Sequence, residues 1–115
     1  MQHLIVIAGD NRQIVKQQLD SMTARFFTTE LGGDSLLEYL KQTEADAVVM
    51  DRETFKTVTG RELAPDAKPI PAVVLMAAGE NSVHDGPDGV LDVRTVGAGN
   101  KGQLIAAIAA ATKAK

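Results

Sequence analysis

The chain has 115 residues, 44% of them hydrophobic and 23% charged, with a formal net charge of −3. That length and apolar content suit a single domain, 1–115, built around one core. Acids and bases are mixed along the chain, so there is no basic field for nucleic acid or an anionic membrane, and a protein partner, self-association or a small ligand is expected.

No cysteine is present, which excludes a disulfide framework, a thiolate metal site and a cysteine nucleophile, and fits a reducing compartment. The apolar stretch from His3 to Ala8 is too short for a signal-peptide core and lacks a basic flank, and no run approaches membrane-spanning length. A cytoplasmic location is therefore expected. Aromatic residues make up only 3%, so base-stacking platforms are not expected and the core must come from Val, Ile, Leu, Met and Ala.

Leu4 to Ala8 is a short apolar run that predicts a strand buried on both faces. Asp10 or Asn11 can cap a following helix whose apolar positions Ile14, Val15, Leu19 and Met22 recur at helical spacing. Arg25 to Thr29 alternates and predicts a weaker strand at a sheet edge. Asp34 or Ser35 opens a second helix carrying Leu36, Leu37, Tyr39 and Leu40. Ala47 to Met50 predicts a third buried strand.

Between that strand and the next apolar run, Ala72 to Ala77, only Gly60 to Leu63 reads as helical before Pro65, Pro69 and Pro71 intervene, so this helix must be short. Gly79 to Gly89 combines glycines, a proline and polar residues without an apolar stripe, and predicts a loop or single turn in place of a helix. Val90 to Val93 predicts the last strand. Asn100 can cap the final helix, with Leu104, Ile105 and Ile108 in one stripe, alanines elsewhere and a basic tail at Lys113 to Lys115. Strand and helix alternate, the βαβ pattern of a doubly wound α/β fold with a parallel sheet.

Three further groups carry weaker chemical signals. Gly97, Ala98, Gly99, Asn100, Lys101 and Gly102 spell G-x-G-x-x-G before a helix, an anion-binding arrangement in principle. The dinucleotide fingerprint belongs to a first βα turn with a ribose-binding acid downstream, and neither applies here, so a glycine-eased helix start is the plainer reading. His84, Asp85 and Asp88 lie among Gly86, Pro87 and Gly89 and read as a solvated loop rather than a metal site. Met22, Met50 and Met76 read as core filling, and Ser35 and Ser82 lack the context of a nucleophile elbow.

From Phe27 to Asp51 the sequence resembles a response-regulator receiver domain without a gap. The match comprises an edge strand, a helix start at Gly33 and Asp34, the helix from Leu36 to Leu40, and then Asp46-Ala-Val-Val-Met-Asp51. Pro71-Ala-Val-Val-Leu-Met-Ala77 is similar to the family's fourth strand, and the last helix to its fifth. The resemblance implies a flavodoxin-like sheet of five parallel strands in the order 2-1-3-4-5, here with a shortened third helix and a degenerate fourth.

The resemblance places Asp51 at the family's phosphoacceptor. Magnesium is held in that family by the acceptor and by an acidic pair after the first strand, a hard cation being needed to neutralise the transferring phosphoryl group. The pair's positions read Ala8 and Gly9 here, with Asp10 displaced by one residue. Met76 occupies the place of the switch hydroxyl. The family's lysine after the fifth strand falls on Gly97 counting back from the last helix, or near Val93 or Arg94 counting forward.

These departures point to a pseudo-receiver, a non-enzymatic domain of two-component signalling type that acts by protein–protein contact without a cofactor. The alanine-rich last helix offers a face for close packing of a partner. The alternatives are a working receiver that uses Asp51, Asp10 and magnesium, and a small flavodoxin-like module that binds a ligand or nucleotide at the strand C-termini and the glycine loop.

Overall fold

A computed structural model describes residues 3–22, 24–58, 69–81, 86–88 and 91–113. In chain order these form β1 (Leu4–Ala8), α1 (Arg12–Leu19), β2 (Arg25–Thr29), α2 (Gly33–Gln42), β3 (Ala47–Asp51), α3 (Arg52–Thr57), β4 (Ile70–Met76), β5 (Gly86–Asp88), β6 (Leu91–Gly97) and α4 (Lys101–Lys113). The sheet order is β2-β1-β3-β4-β6-β5. The five longer strands pair in parallel, so the predicted 2-1-3-4-5 order holds for them.

The strands alternate strictly between two cores. Val6 and Ala8, Val48 and Met50, and Ala72, Val74 and Met76 face Leu36, Leu37 and Leu40 of α2 and Phe55 of α3. Ile5 and Ile7, Ala47 and Val49, and Val73 and Leu75 face Val15 and Leu19 of α1 and Leu104 and Ile108 of α4. Because both faces of the sheet are covered by helices, β1, β4 and β3 up to Met50 are apolar at every position, which is why they read as continuous runs. Met50 and Met76 are buried in the first core, and Met22 packs at the margin of the second.

Several expectations need correction. The third helix is short, six residues, but it starts directly after β3 at Arg52. The predicted segment from Gly60 to Leu63 lies outside the described residues. The helix starts early because the Asp51 carboxylate accepts the Thr54 amide in its first turn, a cap that an apolar-periodicity reading passes over. The segment from Gly79 to Gly89 contains no helix among its described residues, but it is not all loop: Gly86–Asp88 adds a short antiparallel strand against Leu91–Val93. His84 and Asp85 fall outside the described residues.

β6 extends beyond the apolar run to Gly97, since its seven-residue pairing with β4 is a backbone ladder that tolerates Arg94 and Thr95. Ile14 does not belong to the buried stripe of α1 and is 57% exposed.

Helix starts also differ in detail. Asn11 is the N-cap residue of α1 through its carbonyl, which accepts from the Val15 amide at 3.0 Å, without a side-chain bond. α2 begins ahead of Asp34 and Ser35, with Gly32 as its N-cap. Gly33 has φ +60° and donates its N–H to the Thr57 hydroxyl at 3.2 Å, so a side chain of α3 does the capping that the sequence reading assigned locally. Asn100 behaves as expected: its Oδ1 accepts from the Gln103 amide at 3.1 Å and its carbonyl from the Leu104 amide at 3.0 Å. In α4, Ala106 and Ala110 are exposed, Ala107 and Ala109 half-buried and Ala111 buried.

No helix among the described residues is long and apolar enough to cross a membrane.

Ile108 is fully buried between α4 and the sheet. Ile108→Ala should lower unfolding stability by about 2–5 kcal/mol through lost burial and a residual cavity. Ala110→Gln on the exposed face of the same helix should change it by less than about 0.5 kcal/mol. Urea denaturation midpoints at constant slope read both.

Candidate functional site

The polar groups converge on the C-terminal edge of the sheet, where apolar strands give way to turns. β1 ends at Ala8, and the chain turns at Gly9 with φ +109°, a conformation that L side chains rarely adopt. β3 ends at Asp51 in the neighbouring position. The two meet closely: a Cβ built on Gly9 would lie 2.8 Å from Asp51 Oδ2, 3.0 Å from its Cγ and 3.1 Å from Thr54 Oγ1. The Asp51 carboxylate and the Thr54 hydroxyl therefore occupy the space that a side chain on Gly9 would need.

Asp51 itself is engaged locally. Its Oδ1 accepts the Thr54 amide at 2.7 Å, making it the N-cap of α3. This is the plain structural role that an aspartate at a strand end often takes.

Two crevices open on this edge. The one over Asp51 has a volume of about 230 Å³ and is bordered by Asn11, Arg52, Leu75, Glu80 and Ala98. Glu80 reaches back across it: Oε1 accepts the Ala77 amide at 2.7 Å, and Oε2 lies 3.6 Å from the Arg52 guanidinium. The Arg52 Nε is buried with no hydrogen-bond partner among the described residues. A carboxylate thus already serves the backbone amide at the end of β4.

The other crevice, about 440 Å³, lies between the ends of β1 and β2 and the helix α3, and Asp10 borders it together with Arg12, Glu30, Thr54 and Thr57. Arg12 donates to the Gly9 carbonyl at 3.0 Å and pairs with Glu30 at 2.6 Å. Asp10 and Asp51 therefore line different crevices.

Met76 is 7% exposed and packs in the core at the end of β4. Beside it in register is Gly97, the last residue of β6, and the Ala98 amide donates to the Met76 carbonyl at 2.7 Å. Of the positions considered for the family's lysine, Gly97 is the one at this edge; Val93 is buried and Arg94 lies further down the strand.

The glycine loop does not close around a ligand position. Gly99 is in the left-handed region with φ +84°, but open space surrounds the Cβ positions of both Gly97 and Gly99. Gly102 sits within the first turn of α4 next to Lys101, where Asn100 already satisfies an amide.

A magnesium ion takes about six oxygen ligands in strict geometry, carboxylates among them. Among the described residues no three acidic or imidazole side chains converge on one point. Asp51 Oδ1 already accepts the Thr54 amide and Asp10 lines the other crevice, so the acid set that the resemblance implies for that ion is not assembled among the described residues.

Sequence reasoning missed Arg52, Thr54 and Glu80. The first two follow Asp51 directly and an N-cap reading would have found them. Glu80 carries no such signal, since only the fold of the segment after β4 returns it to the site.

No protein-family model matches the chain, and no curated protein does. Among solved structures, the lysine decarboxylase LdcF of Francisella novicida matches over 96% of this chain with a TM-score of 0.60 and 10% sequence identity. This chain spans 17% of that protein's length. At such low identity the likeness speaks to the fold alone. Together with the sheet order and the helices on both faces, it gives this chain a flavodoxin-like α/β fold, compatible with a receiver-like domain.

Proposed function

We propose that this chain is a pseudo-receiver: a non-enzymatic signalling or assembly domain that works through protein–protein contact and takes up no phosphoryl group. The observation that carries the reading is the packing of the Gly9 backbone against the Asp51 carboxylate, where a Cβ would come within 2.8 Å of Oδ2. Phosphoryl transfer to an aspartate needs a cation to neutralise charge on the transferring oxygens. The space that a side chain at Gly9 would need, where an acid could help to hold one, is taken by the Asp51 carboxylate and the Thr54 hydroxyl.

Three further features support the same reading. Asp51 is committed to capping α3 through Thr54. The Ala77 amide is already bonded to Glu80. Met76, at the position where the resemblance implies a switch hydroxyl, is packed in the core and offers no hydroxyl. An Asp51 in this setting is a structural residue retained at the end of a strand.

Incubation of the protein with acetyl phosphate and magnesium should leave its intact mass unchanged. A stoichiometric, acid-stable and base-labile adduct that disappears in Asp51→Asn would overturn the reading in favour of a working receiver. Stability measurements probe the same point independently. Asp51→Ala should lose the cap and about 1 kcal/mol, while Asp51→Asn, which can still cap, should stay within about 0.5 kcal/mol of the parent. Gly9→Ala should cost more than about 1 kcal/mol, since it adds left-handed strain to a collision with Asp51.

A further inference from the structure

β2 is an edge strand, and its chemistry is unlike that of the strands beside it. Among the described residues it pairs only with β1, in the register Leu4 with Arg25 through Ala8 with Thr29. The Arg25 amide donates to the His3 carbonyl at 2.9 Å, which sets the phase of the ladder. Arg25, Phe27 and Thr29 turn their backbone groups toward β1, so Phe26 and Thr28 present N–H and C=O outward. Among the described residues no group bonds to them there. Edges of this kind are usually blunted by lysine, proline, a bulge or a covering element. β2, Arg-Phe-Phe-Thr-Thr, has no proline, no lysine and no glycine.

Two large apolar side chains are exposed along this edge, where solvent would favour polar groups. Phe27 is 43% exposed, although its ring stacks on Tyr39 of α2 with centroids 5.1 Å apart. Leu31, just beyond the strand, is 37% exposed. The ends differ in charge: Arg25 is exposed at one end, and at the other the Glu30 side chain is 82% exposed.

We propose that the outer edge of β2 is a self-association surface, on which two copies of this chain pair β2 with β2 antiparallel about a two-fold axis at Phe27. The reasoning is geometric. With Phe27 opposite Phe27 of the second copy, Phe26 faces Thr28 of the second copy and Thr28 faces Phe26, which are the residues whose backbone groups point outward. They form two hydrogen-bonded pairs, and the two phenylalanines form the close non-hydrogen-bonded pair between them, on the face where each is backed by its own Tyr39.

Antiparallel pairing also lays Arg25 of each strand opposite Thr29 of the other, with Glu30 beyond it already paired to Arg12, so no like charges are opposed at either end. Such an interface is isologous and closes at two copies. This inference rests on the contact reading above and names its partner. An interface built on one strand pair is small, so dissociation is expected in the range of about 10–100 micromolar.

Sedimentation velocity of the full chain from low to high micromolar concentration should show a monomer–dimer equilibrium. Hydrogen exchange at high concentration should slow the Phe26 and Thr28 amides, while the Phe27 amide, bonded within the sheet, stays slow at all concentrations. Thr28→Pro removes an outward N–H without breaking a bond to β1, and should weaken association tenfold or more with unchanged far-ultraviolet circular dichroism. Phe27→Glu should do the same.

A chain that is monomeric throughout, or a dimer indifferent to both variants with no concentration-dependent protection at Phe26 and Thr28, overturns the proposal. Protection at those amides that arises only when another protein's extended segment is added would assign the edge to that segment instead. If either variant unfolds, the exchange pattern of the parent still decides. Failure of this proposal leaves the pseudo-receiver reading standing; that reading is lost only if Asp51 accepts a phosphoryl group.

Discussion

The parallel sheet buries both of its faces, and the rest of the molecule is arranged around that constraint. A strand covered on two sides has no position for a charged side chain until it ends, so β1 and β4 are apolar throughout, β3 is apolar up to Asp51, and the polar residues collect at the C-terminal edge. The order β2-β1-β3 means that the connections from β1 and from β3 leave on opposite sides of the sheet. The crevice between them is where flavodoxin-like folds place their chemistry. The same packing brings the turn after β1 against the end of β3 and so sets Gly9 beside Asp51.

At that meeting point the molecule has resolved a conflict between charge and space. An acidic cluster on neighbouring strand ends repels itself unless a cation is bound. Here the potential neighbour is a glycine whose left-handed backbone needs no side chain and leaves room for none. The carboxylate of Asp51 is then stabilised by the amide it caps, and Glu80 by the Ala77 amide and the Arg52 guanidinium. Each acid has a donor of its own.

The two margins of the sheet are finished differently. Beyond β6 the short antiparallel β5 pairs with Leu91–Val93. Among the described residues β2 has no such companion, and it carries an exposed aromatic stacked on Tyr39. An edge strand without a neighbour presents main-chain donors and acceptors to which another strand can add.

Much of this was legible in the sequence because burial writes itself into composition. Runs such as Leu4–Ala8 and Ala47–Met50, with helical stripes between them, determined the α/β class, the parallel sheet and the helices on both faces, while Arg25–Thr29 marked its own edge position by alternation. The absence of an acidic pair at Ala8 and Gly9 and the apolar Met76 were equally plain.

What only the tertiary structure decided were the features that join residues distant in sequence or depend on backbone pairing. Periodicity assigned the third helix to Gly60–Leu63, yet a capping carboxylate starts a helix at Arg52. Gly-Pro composition predicted a loop where Gly86–Asp88 pairs with β6, because a ladder of main-chain hydrogen bonds needs no apolar pattern. Thr57 caps α2 from another helix, Glu80 returns to the strand ends, and Asp10 and Asp51, both acids at strand ends, face different crevices. Local propensity and burial are properties of short segments and can be read from them, whereas the distance between two side chains is set by the packing of the elements that carry them.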